Sequence, residues 1–158
     1  MAKKIMRKYL KYFLMFFISA NLNAQSNQIK TGLYVVVDSN ICKSDQNYFT
    51  LKHSDCDYWF KNNPEISVED FDTLSVYSMK IKNETIFGLS IKLTNKAKTD
   101  FKNITSNNIV KKIALIAENK IIIIPTVNAS IPSGIITIQD SQKVILELEK
   151  YFNNEIAK

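Results

Sequence analysis

Two apolar runs in close succession constrain this chain more than any other feature. Residues 113–117 read Ile-Ala-Leu-Ile-Ala, and residues 121–124 are four consecutive isoleucines. Neither run alternates with polar residues, so each must be covered on both strand faces, as central strands are. Asn119-Lys120 is the expected tight link between them. Pro125 closes the second run; lacking an amide hydrogen, it suits a strand end or edge. The rest of the chain must therefore wrap two sides of one strand pair.

The neighbouring patterns supply candidates for that cover. Leu33, Val35 and Val37 alternate with Tyr34 and Val36 as a short strand, and residues 48–51 suit another. Ser67 begins a short helix, with Asp70 at its third position and Ile66 and Phe71 as a hydrophobic staple. Tyr77, Met79 and Ile81 alternate with polar residues, as do Phe87, Leu89, Ile91 and Leu93, which predicts a hairpin turning at Asn83-Glu84. Thr94 caps a helix whose Ala97, Phe101, Ile104 and Asn108 share one face. A half-buried Asn needs hydrogen-bond partners, so Asn108 reads as a structural clamp on the backbone of a neighbouring loop rather than a ligand group. Residues 131–134 form a turn and 135–138 a short strand. Asp140 caps a last helix striped with Val144, Ile145, Leu148, Tyr151 and Phe152. Hairpins mixed with two or three helices make the fold α+β with an antiparallel-rich sheet.

The N-terminus carries Lys3, Lys4, Arg7, Lys8 and Lys11 without an acidic residue, then a nine-residue apolar core over 12–20 and a small residue at Ala24. This three-part layout predicts a secretory signal peptide over residues 1–24, too short in its apolar part for the roughly 20 residues of a spanning helix. The chain has 21 basic and 15 acidic residues, and cleavage would leave 16 against 15. A mature chain so near neutrality has no strong field for nucleic acid or anionic lipid. The expected location is periplasmic or extracellular, with no transmembrane segment in the mature chain.

An oxidising compartment makes Cys42 and Cys56 the expected disulfide, closing a loop within an N-terminal extension over residues 25–63. Free thiols, or a metal site with His53, Asp55 and Asp57, are the alternatives. A Cys–His53 dyad would support nucleophilic chemistry. Tyr58, Trp59 and Phe60 are adjacent, and three adjacent aromatics cannot all face one way; an exposed part of them would make a binding patch. No phosphate-binding loop, paired-His metal motif or nucleophile elbow is present, and the expectation is a non-enzymatic chain with no cofactor and no metal.

The spacing over residues 93–138 resembles the periplasmic head domain of SecD, an accessory subunit of bacterial protein export. Leu93-Thr94, Phe101, Thr105, Asn108, Ile113-Ala114-Leu115, Pro125, Ile131 and Gly134 match the family's pattern, and a final helix over 142–152 follows. Val110 departs from it, standing where the family often has Gly. The resemblance implies a ferredoxin-like α+β head over residues 64–158, with Thr94, Phe101, Asn108, Pro125 and Gly134 in structural roles. SecD's transmembrane helices have no counterpart here, so a proton-driven translocase is not expected. The implied function is an exported module contacting a protein or peptide partner in the cell envelope, through a sheet edge or an aromatic patch. A structural subunit of an envelope complex, or a small exported enzyme around Cys42, His53 and Cys56, are the competing readings.

Overall fold

In the computed structural model, residues 28–37 and 47–158 are described. The region expected as a signal peptide, and Cys42, lie outside them. Among the described residues nine strands form: β1 (Gly32–Val35), β2 (Tyr48–His53), β3 (Cys56–Lys61), β4 (Ile66–Ser67), β5 (Phe71–Ile81), β6 (Glu84–Leu93), β7 (Ile113–Ala117), β8 (Lys120–Ile123) and β9 (Ile135–Asp140). A short 3-10 helix (Val68–Asp70) precedes β5, and two α-helices follow, α1 (Asn95–Asn107) and α2 (Gln142–Ile156). The fold is α+β with antiparallel sheets and two helices, as expected. Its ladders are β4-β1-β7-β8, β2-β3 and β5-β6-β9.

All five residues of β7 are buried. Ile113, Leu115 and Ala117 face a main core shared with Leu33, Phe71, Leu89, Ile91, Phe101 and Phe152. Ala114 and Ile116 face a second core with Tyr34, Phe60 and Ile121. Residues 28–37, expected as part of an extension, instead supply β1, an inner strand between β4 and β7. The hairpin β2–β3 was only half expected, because the aromatic triplet masks its period. Phe60 enters the second core beside Phe49 and Tyr34, with ring centroids 5.4 and 6.0 Å away.

Several local expectations hold. Ser67 and Asp70 form a capping box, and Ile66 and Phe71 are both buried around it. Thr94 caps α1 by accepting the Ala97 N–H at 3.3 Å. Others move by a residue. The β5–β6 turn is Lys82-Asn83, since Ile81 pairs with Glu84 and Lys82 takes φ +54°. The β7–β8 turn is Glu118-Asn119, both at positive φ (50° and 59°), the twist a two-residue hairpin favours. Asp140 ends β9 rather than capping α2; Ser141 is the cap residue, and the Asp140 carboxylate accepts its N–H at 2.6 Å.

The largest difference concerns β5. Ser78 sits opposite Phe87, and Val76 opposite Leu89. The core face therefore takes Leu74 and Val76, while Tyr77, Met79 and Ile81 lie on the other, outer face. The bulge between Phe71 and Thr73 changes the phase, letting Phe71 and Leu74 both reach the core.

Val110 has φ +66° and is 81% exposed. A β-branched residue in the left-handed region is strained and here buries nothing in return. Val110→Gly should stabilise the fold by about 1 kcal/mol, read as a raised urea midpoint with unchanged slope. Tyr34 is buried and its hydroxyl donates to the Lys30 carbonyl at 2.6 Å. Burial pushes its pKa up to about 12. In the unfolded chain the phenol ionises near its ordinary value of 10, so Tyr34 contributes stability below pH 10 that is lost as pH rises toward 12. Tyr34→Phe should flatten the fall in stability over that window, measured by urea titrations at stepped pH.

Candidate functional site

Helix α1 and the segment after β8 together build an apolar groove against β9. The segment 124–134 is stitched to the α1–β7 connection and the first residue of β7 at several points. The Ile113 N–H donates to the Pro125 carbonyl at 3.0 Å, the Val127 N–H to the Lys111 carbonyl at 2.8 Å, and the Val110 N–H to the Val127 carbonyl at 2.8 Å. Thr105 is fully buried; its hydroxyl donates to the Phe101 carbonyl at 2.8 Å and accepts the Ile131 N–H at 2.9 Å. One side chain thus ties helix to loop. Gly134 closes the segment at φ +65°, and a Cβ there would lie 2.7 Å from Lys98 Cγ. Only glycine fits both demands.

Between this segment and β9 lies an apolar groove of about 390 Å³. Its floor is core: Leu33, Phe101, Ile113 and Leu115. Ile131 and Ile135 stand at its rim, partly exposed. β9 is the outer strand of its ladder. The turn Lys82-Asn83 closes on the Ile81–Glu84 pair, which fixes the bonding phase across β6 and β9. By that phase Ile135, Thr137 and Gln139 direct their backbone groups away from β6. Thr137 does so at the groove wall.

A second, wider cleft of about 970 Å³ lies beside β1 and the last turns of α1. Its charges are mixed, with Glu65 and Asp100 against Lys61, Lys111 and Lys112. Lys61 pairs with Glu65 at 3.8 Å. Asn108 lines this cleft as the cap of α1, and its amide donates to the Ile104 carbonyl of its own helix at 2.8 Å. It clamps its own helix end, whereas the loop is held by Thr105, which composition alone had not singled out.

The expected aromatic patch separates into three environments. Phe60 is fully buried. Tyr58 is half-buried; the Lys112 ammonium donates to its hydroxyl at 3.1 Å and lies 5.0 Å from the ring centre. Trp59 is half-buried, and its carbonyl accepts the Val37 N–H at 2.9 Å. The Cys42–Cys56 bridge is not shown: Cys56 is an exposed free thiol at the tip of the β2–β3 hairpin, and Cys42 lies outside the described residues. His53 is the cross-strand partner of Cys56, and neither lines either cleft. Among the described residues, no group of three or more His, Cys, Asp or Glu side chains is placed to hold a metal ion, and no helix is long and apolar enough to cross a membrane.

The model of the SecDF P1 head subdomain matches residues 46–148, well over half of the chain. The chain belongs to the SecDF P1 head family. Solved SecDF structures share its fold. One, described as a membrane component SecDF that enhances protein export, aligns with a TM-score of 0.58 at 14% identity, over 80% of this chain and 63% of that one. Another, SecDF in a super-membrane-facing form, gives 0.50 at 14% identity, over 79% of this chain and 18% of that one. The P1-head chain thus spans less than two thirds of the length of either. No curated protein sequence matches it. The P1-head match begins at residue 46 and so takes in the β2–β3 hairpin.

Thr105→Val should leave the Ile131 N–H without its partner and lower stability by about 1–3 kcal/mol, while Thr105→Ser, which keeps the hydroxyl, should lose much less. Chemical denaturation of both variants checks this. Hydrogen exchange at Ile131 should accelerate in the Val variant alone.

Proposed function

We propose that this chain is an exported, non-enzymatic module that holds segments of other polypeptides in the cell envelope, in an accessory role to protein export. The observation that carries the reading is the groove between segment 124–134 and β9. Its floor is apolar, and the strand beside it turns the backbone groups of Thr137 and Gln139 outward, with no backbone partner among the described residues, while the Ile135 N–H is held by the Ser133 hydroxyl. An extended polypeptide could bond to the β9 edge through its main chain while alternate side chains enter the groove. Main-chain bonding of this kind does not depend on a particular sequence, which suits a partner that handles many chains. Membership in the SecDF P1 head family supports the same reading, as does the likeness to a SecDF described as enhancing protein export.

The test is binding of a fluorophore-labelled, permanently unfolded polypeptide, read by anisotropy. Ile131→Glu and Ile135→Glu place charge at the groove rim and should weaken binding about tenfold or more, a loss of about 1.4 kcal/mol, with thermal midpoints unchanged. Trp59→Ala should leave binding within about twofold. The reverse pattern would move the binding surface to the β2–β3 hairpin. Absence of binding by the unaltered chain would overturn the reading.

A further inference from the structure

The opposite edge of the same ladder is a separate surface. β5 is eleven residues long and is the outer strand on the side away from β9. The Ile81–Glu84 pair flanks a two-residue turn, so it exchanges both backbone bonds. Alternation then turns the backbone groups of Leu74, Val76, Ser78 and Lys80 outward. None of these outward N–H groups has a backbone partner among the described residues. The outer face beside this edge carries Met79, 38% exposed, and Ile81, 49% exposed, next to Tyr77 and Ile86. The Tyr77 ring covers Gly88 across the ladder, where a Cβ would come within 2.3 Å of it.

Charge along this edge is polarised. Glu69, Asp70 and Asp72 stand at its start, and Lys80 and Lys82 at its end. Asp72 and Lys80 are both exposed, and Asp72 pairs with Lys92 of β6 at 3.6 Å, so the acidic start is held by Glu69, Asp70 and an Asp72 shared with that lysine. A lone lysine on an edge strand discourages pairing with any other strand. An antiparallel copy of the same strand is the exception, since it sets the acidic start of each copy against the basic end of the other. A parallel copy would set like charges together.

We propose that β5 is a self-association edge, through which two copies of this chain pair antiparallel to form a continuous six-stranded sheet. Each copy contributes β9, β6 and β5, with the two β5 strands at the centre. The exposed Met79 and Ile81 of one copy then lie over the start of β5 in the other, near Thr73 and Ser75. A single strand pair with a small apolar cluster is a small interface, so the dimer is weak and concentration-dependent.

Analytical ultracentrifugation of the purified chain at low salt, over about 10 µM to 1 mM, tests the pairing. The expected result is a reversible monomer–dimer equilibrium. Val76→Pro removes one outward N–H without touching the β5–β6 ladder and should abolish the dimer. Lys80→Glu leaves the backbone alone and should weaken association about tenfold. The double variant Asp72→Lys with Lys80→Glu should bring it back to within about threefold of the original. Circular dichroism and the thermal midpoint show that each variant folds, and the charge variants remain decisive should the proline variant not. A chain monomeric throughout the range overturns the proposal. So does a dimer indifferent to both Val76→Pro and Lys80→Glu, or one weakened by Lys80→Glu but not recovered by the double exchange. Capture of an unfolded polypeptide at β5 in place of a second copy would likewise overturn it.

Discussion

Everything in this fold is arranged to bury β7 on both faces. A strand whose residues alternate between two apolar environments cannot sit at a surface, and the five residues of β7 divide between two cores with the period of the strand itself. The main core is closed by the β5-β6-β9 ladder and both helices. The second is closed by the β2–β3 hairpin, with Phe49, Phe60 and Tyr34 packed edge to face and tilted. β1 and β8 complete the backbone bonding on either side.

The groove follows from the same constraint. The segment after β8 forms only one isolated bridge, Lys112 with Thr126, so its backbone groups find partners one at a time on the α1–β7 connection, at the start of β7 and on the Thr105 side chain. Thr105 is central because a buried hydroxyl both donates and accepts, satisfying its own helix and the loop together. The wall that results is fixed at one side and stands apart from β9 at the other, and core side chains are left as the floor between. The opening is therefore a product of how the loop is anchored rather than a cavity in a loose core.

Much of this was legible in the residues. The double-faced run over 113–117, the Thr94 cap, the Ser67–Asp70 box and the stripe of α2 follow from period and capping chemistry, and each forms where expected. The run over 121–124 also forms a strand, but β8 is the outer strand of its ladder rather than a central one, and Ile122, Ile123 and Ile124 are only half-buried. The resemblance to the SecD head rested on Thr105, Pro125 and Gly134, and these prove to be the residues that shape the loop. What the residues hid has physical causes. Cys56-Asp-Tyr-Trp-Phe-Lys lacks a clear period because both sides of that strand are partly covered, so β3 was not distinguished from a loop. Tyr77, Met79 and Ile81 look like a core face, yet register decides faces, and the bulge at Phe71–Thr73 that sets the register leaves no mark in composition. The groove itself joins residues from β1, α1, β7, β8 and β9, a convergence that no local window contains.

The position of β1 also sets an order on folding. Its inner partner, β7, follows it by about eighty residues, and Leu33 pairs with Leu115. A chain made or delivered from its N-terminus holds β1 and the aromatic hairpin with nothing to pack on until β7 arrives. Contacts of such long sequence separation form late, and exposed apolar strands are prone to wrong pairing meanwhile. For the whole interval in which residues 32–61 exist without residues 113–117, the apolar side chains that β7 later covers, Leu33, Tyr34 and Phe60 among them, lack the strand that closes both cores.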